Sequence, residues 1–158
     1  MERAWGQKDL GEAWFSPKLG RNARLEQISA AIDWEALEAD IAPLYARKTG
    51  RPAWPSAIML RALLLAGWYG LSDAGLETAL DDRLSFRRFV GLGSDQGAPD
   101  STVISRFRRR LKARGLEDAF VAEVGRQLAA QGLVVKRGLL IDARLAPLAA
   151  RAEIRAAA

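Results

Sequence analysis

The sequence predicts a mainly α-helical protein with one or two short strands near its end. Apolar residues recur three and four positions apart over most of the chain, which is the period of a helix with one buried face. The period changes after Gly132, where the apolar runs 133–135 and 139–141 are typical of strands. We therefore expect a multi-helix domain followed by a short β segment.

The most apolar stretch, residues 55–71, is the predicted centre of the fold. It has almost no polar face, and a helix that is apolar nearly all round has to be covered on several sides. Pro55 suits a first helical position, and Gly70 suits the stop. The stretch is shorter than the ~20 apolar residues that span a bilayer, and Arg61 interrupts it. We therefore predict a buried core helix.

The chain divides into three predicted parts. Residues 1–30 have weak periodicity and predict an irregular N-terminal arm. The helical domain is predicted over residues 31–132. Its first helix follows Asp33, which suits an N-cap, and should kink or end before Pro43. Residues 133–158 are expected to hold a strand and an alanine-rich tail.

Four helices are predicted after the core helix. Residues 75–82 and 85–90 predict two short ones, the second with Arg87 facing outward. Residues 91–99 have loop composition, and Asp100 then caps a basic helix that stops at Gly115. The last helix, over 116–131, has an apolar face composed of Leu116, Phe120, Val121, Val124 and Leu128.

Composition restricts the chemistry that this chain can perform. The 158 residues are 49% hydrophobic and 27% charged, as in an ordinary globular protein. Cysteine and histidine are absent, which excludes disulfides, zinc sites and imidazole catalysis. A metal would have to be held by carboxylates, which favours Mg²⁺ or Mn²⁺. The N-terminus has no secretory signal, so we expect a cytoplasmic protein and no membrane partner.

Positive charge is concentrated in one segment, residues 101–114. This segment holds six of the 24 basic residues and none of the 19 acidic ones, which leaves 18 basic residues against 19 acidic ones elsewhere. A local excess of this kind favours a polyanion-binding surface over general solubility.

The basic segment predicts an amphipathic helix with opposed faces. On a helical wheel Val103, Ile104, Phe107 and Leu111 share one arc, while Arg108, Arg109 and Lys112 lie on the opposite side. Two short helices, a loop and this helix resemble a helix-turn-helix, whose residues contact base edges and phosphates. The alternatives are a solvated basic face or a patch that contacts acidic residues elsewhere. The candidate DNA-binding residues are Ser101, Thr102, Ser105, Arg106, Arg108, Arg109, Arg110 and Lys112.

Several segments, in order, resemble the N-terminal region of bacterial DDE transposases of the insertion-sequence-5 group. The resemblance covers about residues 20 to 143 without a large gap, which makes it more specific than any one motif. The matching segments are DWEAL at 33–37, RALLL at 61–65, WYGLSD at 68–73, LSFRRF at 84–89, PDST at 99–102, RFR at 106–108, VKRG at 135–138 and IDA at 141–143.

The resemblance implies both a DNA-binding role and a catalytic residue. In that family the helical part binds the terminal inverted repeats of the element as double-stranded DNA. An RNase H-like domain follows, in which two Asp and one Glu hold two Mg²⁺ ions. Asp142 matches the first catalytic Asp and would act as a metal ligand only with the other two. The pattern stops after Ala143, so the resemblance implies a transposase fragment with an incomplete RNase H-like domain that is inactive and holds no cofactor alone.

Two alternatives remain open from the sequence. In the first, the chain is a helical dimerisation or regulatory module whose basic helix contacts protein. In the second, it is a DNA-binding inhibitor of the full-length transposase. The expected partners beyond DNA are a second copy of the chain or the product of a downstream reading frame. Salt-dependent binding to a duplex separates the DNA-binding readings from the protein-binding one.

Overall fold

Helices account for most of the part of the chain that the structure describes. The computed structural model describes residues 18–45, 53–93, 95–136 and 139–142. Within these ranges the helices are α1 Ala23–Ala31, α2 Trp34–Ile41, α3 Ser56–Tyr69, α4 Asp73–Asp82, α5 Leu84–Val90, α6 Ser101–Lys112 and α7 Leu116–Ala130. A 3-10 helix, Ala42–Tyr45, continues α2. The predicted mainly α fold is confirmed.

Two short strands follow the helices and pair with each other. They are β1, Leu133–Lys136, and β2, Leu139–Asp142, and they run antiparallel with Leu133 opposite Asp142. β1 packs on α7, and the backbone of β2 lies near α1. The strand prediction is therefore confirmed, while the predicted alanine-rich tail lies outside the described residues.

Helix α3 is the centre of the fold, as its composition predicts. It packs against α2, α4, α5 and α6. Its buried side chains are Ile58, Met59, Leu60, Ala62, Leu63, Leu64, Leu65 and Ala66. Pro55 occupies the N-cap, one position before the predicted one, and Gly70 ends the helix with a left-handed φ of 64°. A left-handed residue at this point favours glycine, because a Cβ would be strained there.

Arg61 interrupts the apolar helix, and its half-buried guanidinium contacts two neighbouring helices, while its buried Nε has no hydrogen-bond partner among the described residues. Its guanidinium carbon lies 4.4 Å from the centre of the Trp34 ring, and Nη1 donates a 3.4 Å hydrogen bond to the Phe89 carbonyl oxygen. Burial lowers the pKa of Arg61, and the nearby charge of Glu38 partly offsets this effect. Arg61 therefore joins α3 to α2 and α5 through its side chain.

The helix starts follow local capping chemistry. Asp33 accepts a hydrogen bond from the Ala36 N–H, Ser72 from Gly75, and Asp100 from Val103. Each bond satisfies an N–H group that the first turn of a helix leaves without a backbone partner. The predicted caps at Asp33 and Asp100 are therefore confirmed.

The prediction of an irregular arm over residues 1–30 is wrong where helix α1 lies. Leu25, Ile28 and Ile32 are buried, at spacings of three and four residues, and Asn22 caps the helix. The periodic segment is short for a helix, but packing of α1 against α5 and α7 stabilises the helix. Residues 1–17 of the predicted arm lie outside the described residues.

Two side-chain orientations also differ from the sequence prediction. Arg87 was expected to face outward, but it is only 7% exposed. The loop after α5 folds back over it and supplies carbonyl acceptors. Val121 was expected on the apolar face of α7, but it is 54% exposed. The buried row of α7 consists of residues four apart, Phe120, Val124 and Leu128, and Val121 lies beside this row.

Candidate nucleic-acid interface

Helix α6 is fixed at its N-terminus by two carboxylates. Asp100 accepts a 2.9 Å hydrogen bond from the Val103 N–H, and Glu77 of α4 accepts a 2.8 Å bond from the Ser101 N–H. The helix N-terminus would otherwise attract anions, because its N–H groups lack backbone partners. Here the protein itself supplies the negative groups, so the N-terminal N–H groups of Ser101 and Val103 are already bonded.

One face of α6 belongs to the core. Ile104, Phe107 and Leu111 are buried, and Val103 packs partly buried against the same cluster. The sequence predicts that these four residues share one apolar arc of the helix. They pack α6 against α3, α4 and α7, and so determine which side of the helix reaches solvent.

A second face of α6, which we call the inner row, lies against acidic residues of α4 and α7. Arg108 donates to Asp73 Oδ1 from Nη2 at 2.8 Å and from Nε at 3.2 Å. Its Nη1 donates to Glu117 Oε1 at 3.2 Å, and Lys112 Nζ lies 3.6 Å from Glu117 Oε2. Arg108 is only 26% exposed at its side chain. The inner row is Ser101, Ser105, Arg108 and Lys112.

One ion pair and one hydrogen bond show how α4 and α6 run relative to each other. Asp73 begins α4 and contacts Arg108, near the end of α6. Glu77 lies one turn further along α4 and contacts Ser101, at the start of α6. The two helices are therefore antiparallel, and two acidic residues four apart bind one side of α6 along its length.

The third face of α6, which we call the outer row, reaches solvent. It consists of Thr102, Arg106 and Arg109, which are all exposed and lie on one side of the helix at spacings of four and three residues. Half-buried Arg110 lies next to Arg109 in the helix, and exposed Arg114 follows two residues after the end of α6. Within the described part of the chain, no ion pair involves the four arginines of this surface.

The structure therefore separates candidates that the sequence grouped together. The helical wheel placed Arg108, Arg109 and Lys112 on one outward side. In the folded chain Arg109 points to solvent, while Arg108 and Lys112 form ion pairs with Glu117. The sequence could not show this division, because it depends on how α4 and α7 pack against α6.

Arg87, a buried residue whose role the sequence did not reveal, binds the loop that leads into α6. The guanidinium of Arg87 donates to the carbonyl oxygens of Leu80, Gly93 and Gln96. The first belongs to α4, and the other two belong to the loop that leads into α6. The sequence offers only a weak signal for this role, the position of Arg87 between the buried residues Phe86 and Phe89.

Asp142, the candidate catalytic residue, is the last residue of β2. Among the residues that the structure describes, no group of three His, Cys, Asp or Glu residues could hold a metal ion. A two-metal site needs several carboxylates on converging elements. The described residues therefore do not fit such a centre, and the metal-binding role of Asp142 stays a prediction.

None of the helices in the described ranges combines the length and the apolar character needed to cross a bilayer.

The fold and this surface define a helical domain that presents one basic helix from a packed core. Residues 14–110 match the family described as a transposase domain, DUF772. The chain belongs to this family. The match includes helices α1 to α5 and α6 as far as Arg110, so it contains Arg106, Arg108 and Arg109. Helix α7, the strands and Asp142 lie beyond it. No solved structure matches the chain.

Proposed function

We propose that this transposase-domain chain binds double-stranded DNA through the outer row of α6. The observation that carries the proposal is that Arg106, Arg109, Arg110 and Arg114 have no ion-pair partner among the described residues, although acidic residues bind the neighbouring side of the same helix. Unpaired arginines on one surface attract phosphates, and the release of counterions from DNA makes such binding favourable.

The proposed roles follow from position along the helix. An α-helix of about 10–12 Å diameter fits the major groove of B-DNA, and residues near its N-terminus contact base edges in helix-turn-helix proteins. Thr102 and Arg106 therefore contact bases, while Arg109, Arg110 and Arg114 contact phosphates. Arg108 and Lys112 act in this proposal by holding α6 in place through Asp73 and Glu117.

The resemblance to the insertion-sequence-5 group suggests the biological target. We infer that the duplex is the terminal inverted repeat of an insertion sequence and that the chain acts in the cytoplasm, where bacterial DNA lies. The DDE chemistry, the Mg²⁺ ions and a role for Asp142 rest on the same resemblance. Pairing with a second copy or with a downstream product remains part of this proposal.

A matched pair of double variants tests the DNA-binding proposal. Arg106→Gln with Arg109→Gln removes two charges from the outer row. Arg24→Gln with Arg83→Gln removes two charges from exposed positions, in α1 and between α4 and α5, and serves as the control; urea denaturation of this variant checks the loss of the Arg83 contact with the Phe86 ring. Each protein is titrated against a fluorescent duplex at fixed salt, and its helicity is checked by far-UV circular dichroism.

We expect the outer-row variant to lose duplex binding and the control to keep it, both with unchanged helicity. Equal losses in the two variants would mean that net charge, not the surface of α6, determines binding. Absence of binding by the unmodified chain would favour the alternative that the basic helix contacts protein.

A further inference from the structure

Arg87 occupies an unusual position for a charged side chain. It is 7% exposed, on a helix whose other buried residues are Phe86, Phe89 and Val90. Burial of a charge is costly unless the group is paired or hydrogen-bonded. The arrangement of the donors of Arg87 therefore indicates what the residue does in the fold.

The guanidinium joins α4 to the loop after α5. Nη1 donates a 3.2 Å hydrogen bond to the Leu80 carbonyl oxygen, in the last turn of α4, and lies 3.8 Å from the Asp81 carboxylate. Nη2 donates to the carbonyl oxygens of Gly93 and Gln96. Because a guanidinium has five donors in a planar fork, it can bond three carbonyl groups at once, which an ammonium cannot do in the same geometry.

The same residue also binds the start of this loop through its backbone. The Arg87 carbonyl oxygen accepts hydrogen bonds from the N–H groups of Gly91 and Leu92, at 3.0 and 2.9 Å. Inside the loop, Gln96 accepts from the Gly93 N–H through Oε1 at 3.0 Å, which closes a turn around the carbonyls that Arg87 binds. Arg87 thus contacts the loop from its first residue to its middle.

The far end of the loop is the N-terminus of α6. Pro99 is fully buried, Asp100 caps the helix, and the Ser101 N–H is bonded to Glu77 of α4. The entry of α6 is therefore held at two points, by Glu77 directly and by Arg87 through the loop. The Glu77 contact lies at the end of α6 that carries Thr102, and the Arg87 contacts lie in the loop that leads to this end.

We propose that Arg87 is a positioning residue for DNA recognition. It fixes the loop so that the N-terminal end of α6 is presented to base edges in one orientation. This inference rests on the proposed function. It assigns Arg87 a role in sequence discrimination and not in phosphate attraction, because its guanidinium is buried and donates to backbone carbonyl oxygens.

The test separates discrimination between DNA sequences from electrostatic attraction to phosphates. The unmodified chain first selects duplexes from a randomised pool, and the enriched duplex and a shuffled version of it become the probes. The measured quantities are the ratio of the two dissociation constants and the dependence of each on salt. Arg87→Lys keeps the charge but loses the fork geometry, and Gln96→Ala weakens the loop turn more mildly.

We expect Arg87→Lys to reduce the ratio at least about fivefold, the lower range of what one base contact contributes, with an unchanged salt slope. Gln96→Ala should change the ratio in the same direction by less, and it provides the test if Arg87→Lys does not fold. Val124→Ala, a buried change in α7 away from the loop, is the control for lost stability and should keep the ratio.

Several outcomes would overturn the inference. One is an unchanged ratio in a folded Arg87→Lys or, where Arg87→Lys does not fold, an unchanged ratio in Gln96→Ala. Another is an equal decrease in the Val124→Ala control, which would assign the effect to stability alone. An unmodified chain that binds duplexes without sequence preference would overturn this inference but not the proposed function. An unmodified chain that binds no duplex would overturn the proposed function itself.

Discussion

If the chain binds DNA as proposed, the two rows of α6 predict how many phosphates it contacts. The segment 101–114 has six basic residues, and a chain that used all of them would show a slope of log K against log salt of about −5.4, at roughly −0.9 per contact. Among the described residues, four arginines of this segment form no ion pair, at positions 106, 109, 110 and 114. If Arg106 also contacts a phosphate, the limit is about −3.6, and it is about −2.7 if Arg106 contacts bases alone.

Two single variants test this division. Arg109→Gln removes one free charge of the outer row, so the slope should become smaller by about 0.9 with little change in stability. Arg108→Gln removes a guanidinium that bonds Asp73 and Glu117, so it should leave the slope unchanged and lower the free energy of unfolding by about 1–3 kcal/mol. The change in net charge is the same in both variants, so each serves as the control for the other.

The assay is fluorescence anisotropy with one duplex at four or more salt concentrations, combined with urea denaturation of each variant. The comparison of the salt slopes of the two variants tests the division of α6 into two rows. If Arg108→Gln reduces the slope as much as Arg109→Gln does, the inner row contacts DNA and the division is wrong. A slope near zero for the unmodified chain would refute the nucleic-acid interpretation as a whole.

Three further predictions concern other parts of the chain. Leu64→Ala, in the buried centre of α3, should cost about 2–5 kcal/mol in urea denaturation, and a change of a few tenths would show that α3 is peripheral. Asp142→Asn should leave duplex affinity unchanged, and a marked loss in the same titration would place β2 at the DNA surface. Hydrogen bonds from Arg126 and Gln127 lower the pKa of Glu123 to about 2, from an ordinary value of 4.5. The small stability that this carboxylate adds should therefore be present above pH 4.5 and lost as the pH falls toward 2; NMR titration of Glu123 in Arg126→Ala should show a raised pKa, and an unshifted value would contradict this cause.

Elements that depend on local chemistry could be predicted from the sequence. Asp33 and Asp100 are short polar residues directly before apolar periodic segments, and each caps the helix that follows it. The apolar run of α3 and the left-handed stop at Gly70 needed no knowledge of other elements. In each case the interaction that fixes the structure lies within one turn of the residue that signals it.

Features that depend on packing between elements could not be predicted in this way. Arg87 and Arg88 stand next to each other between Phe86 and Phe89, and the helical position of Arg87 alone leaves it open to solvent. It becomes buried because the loop after α5 presents the carbonyl groups of Gly93 and Gln96 to it. The partner of a charged side chain is a property of the assembled fold, and here that partner lies up to nine residues away in sequence.

The candidate interface shows the same limit in its charges. Asp73 and Glu117 are acidic residues in the first turns of α4 and α7, where the helix dipole favours a negative charge in any fold. Packing then brings both carboxylates to Arg108, so one basic residue joins three helices. This pairing offsets the charge of Arg108, whereas Arg106 and Arg109 form no ion pair among the described residues. Under the proposed function we therefore expect a duplex to approach α6 from the side of the outer row, and the acidic residues of the fold determine that direction together with the arginines.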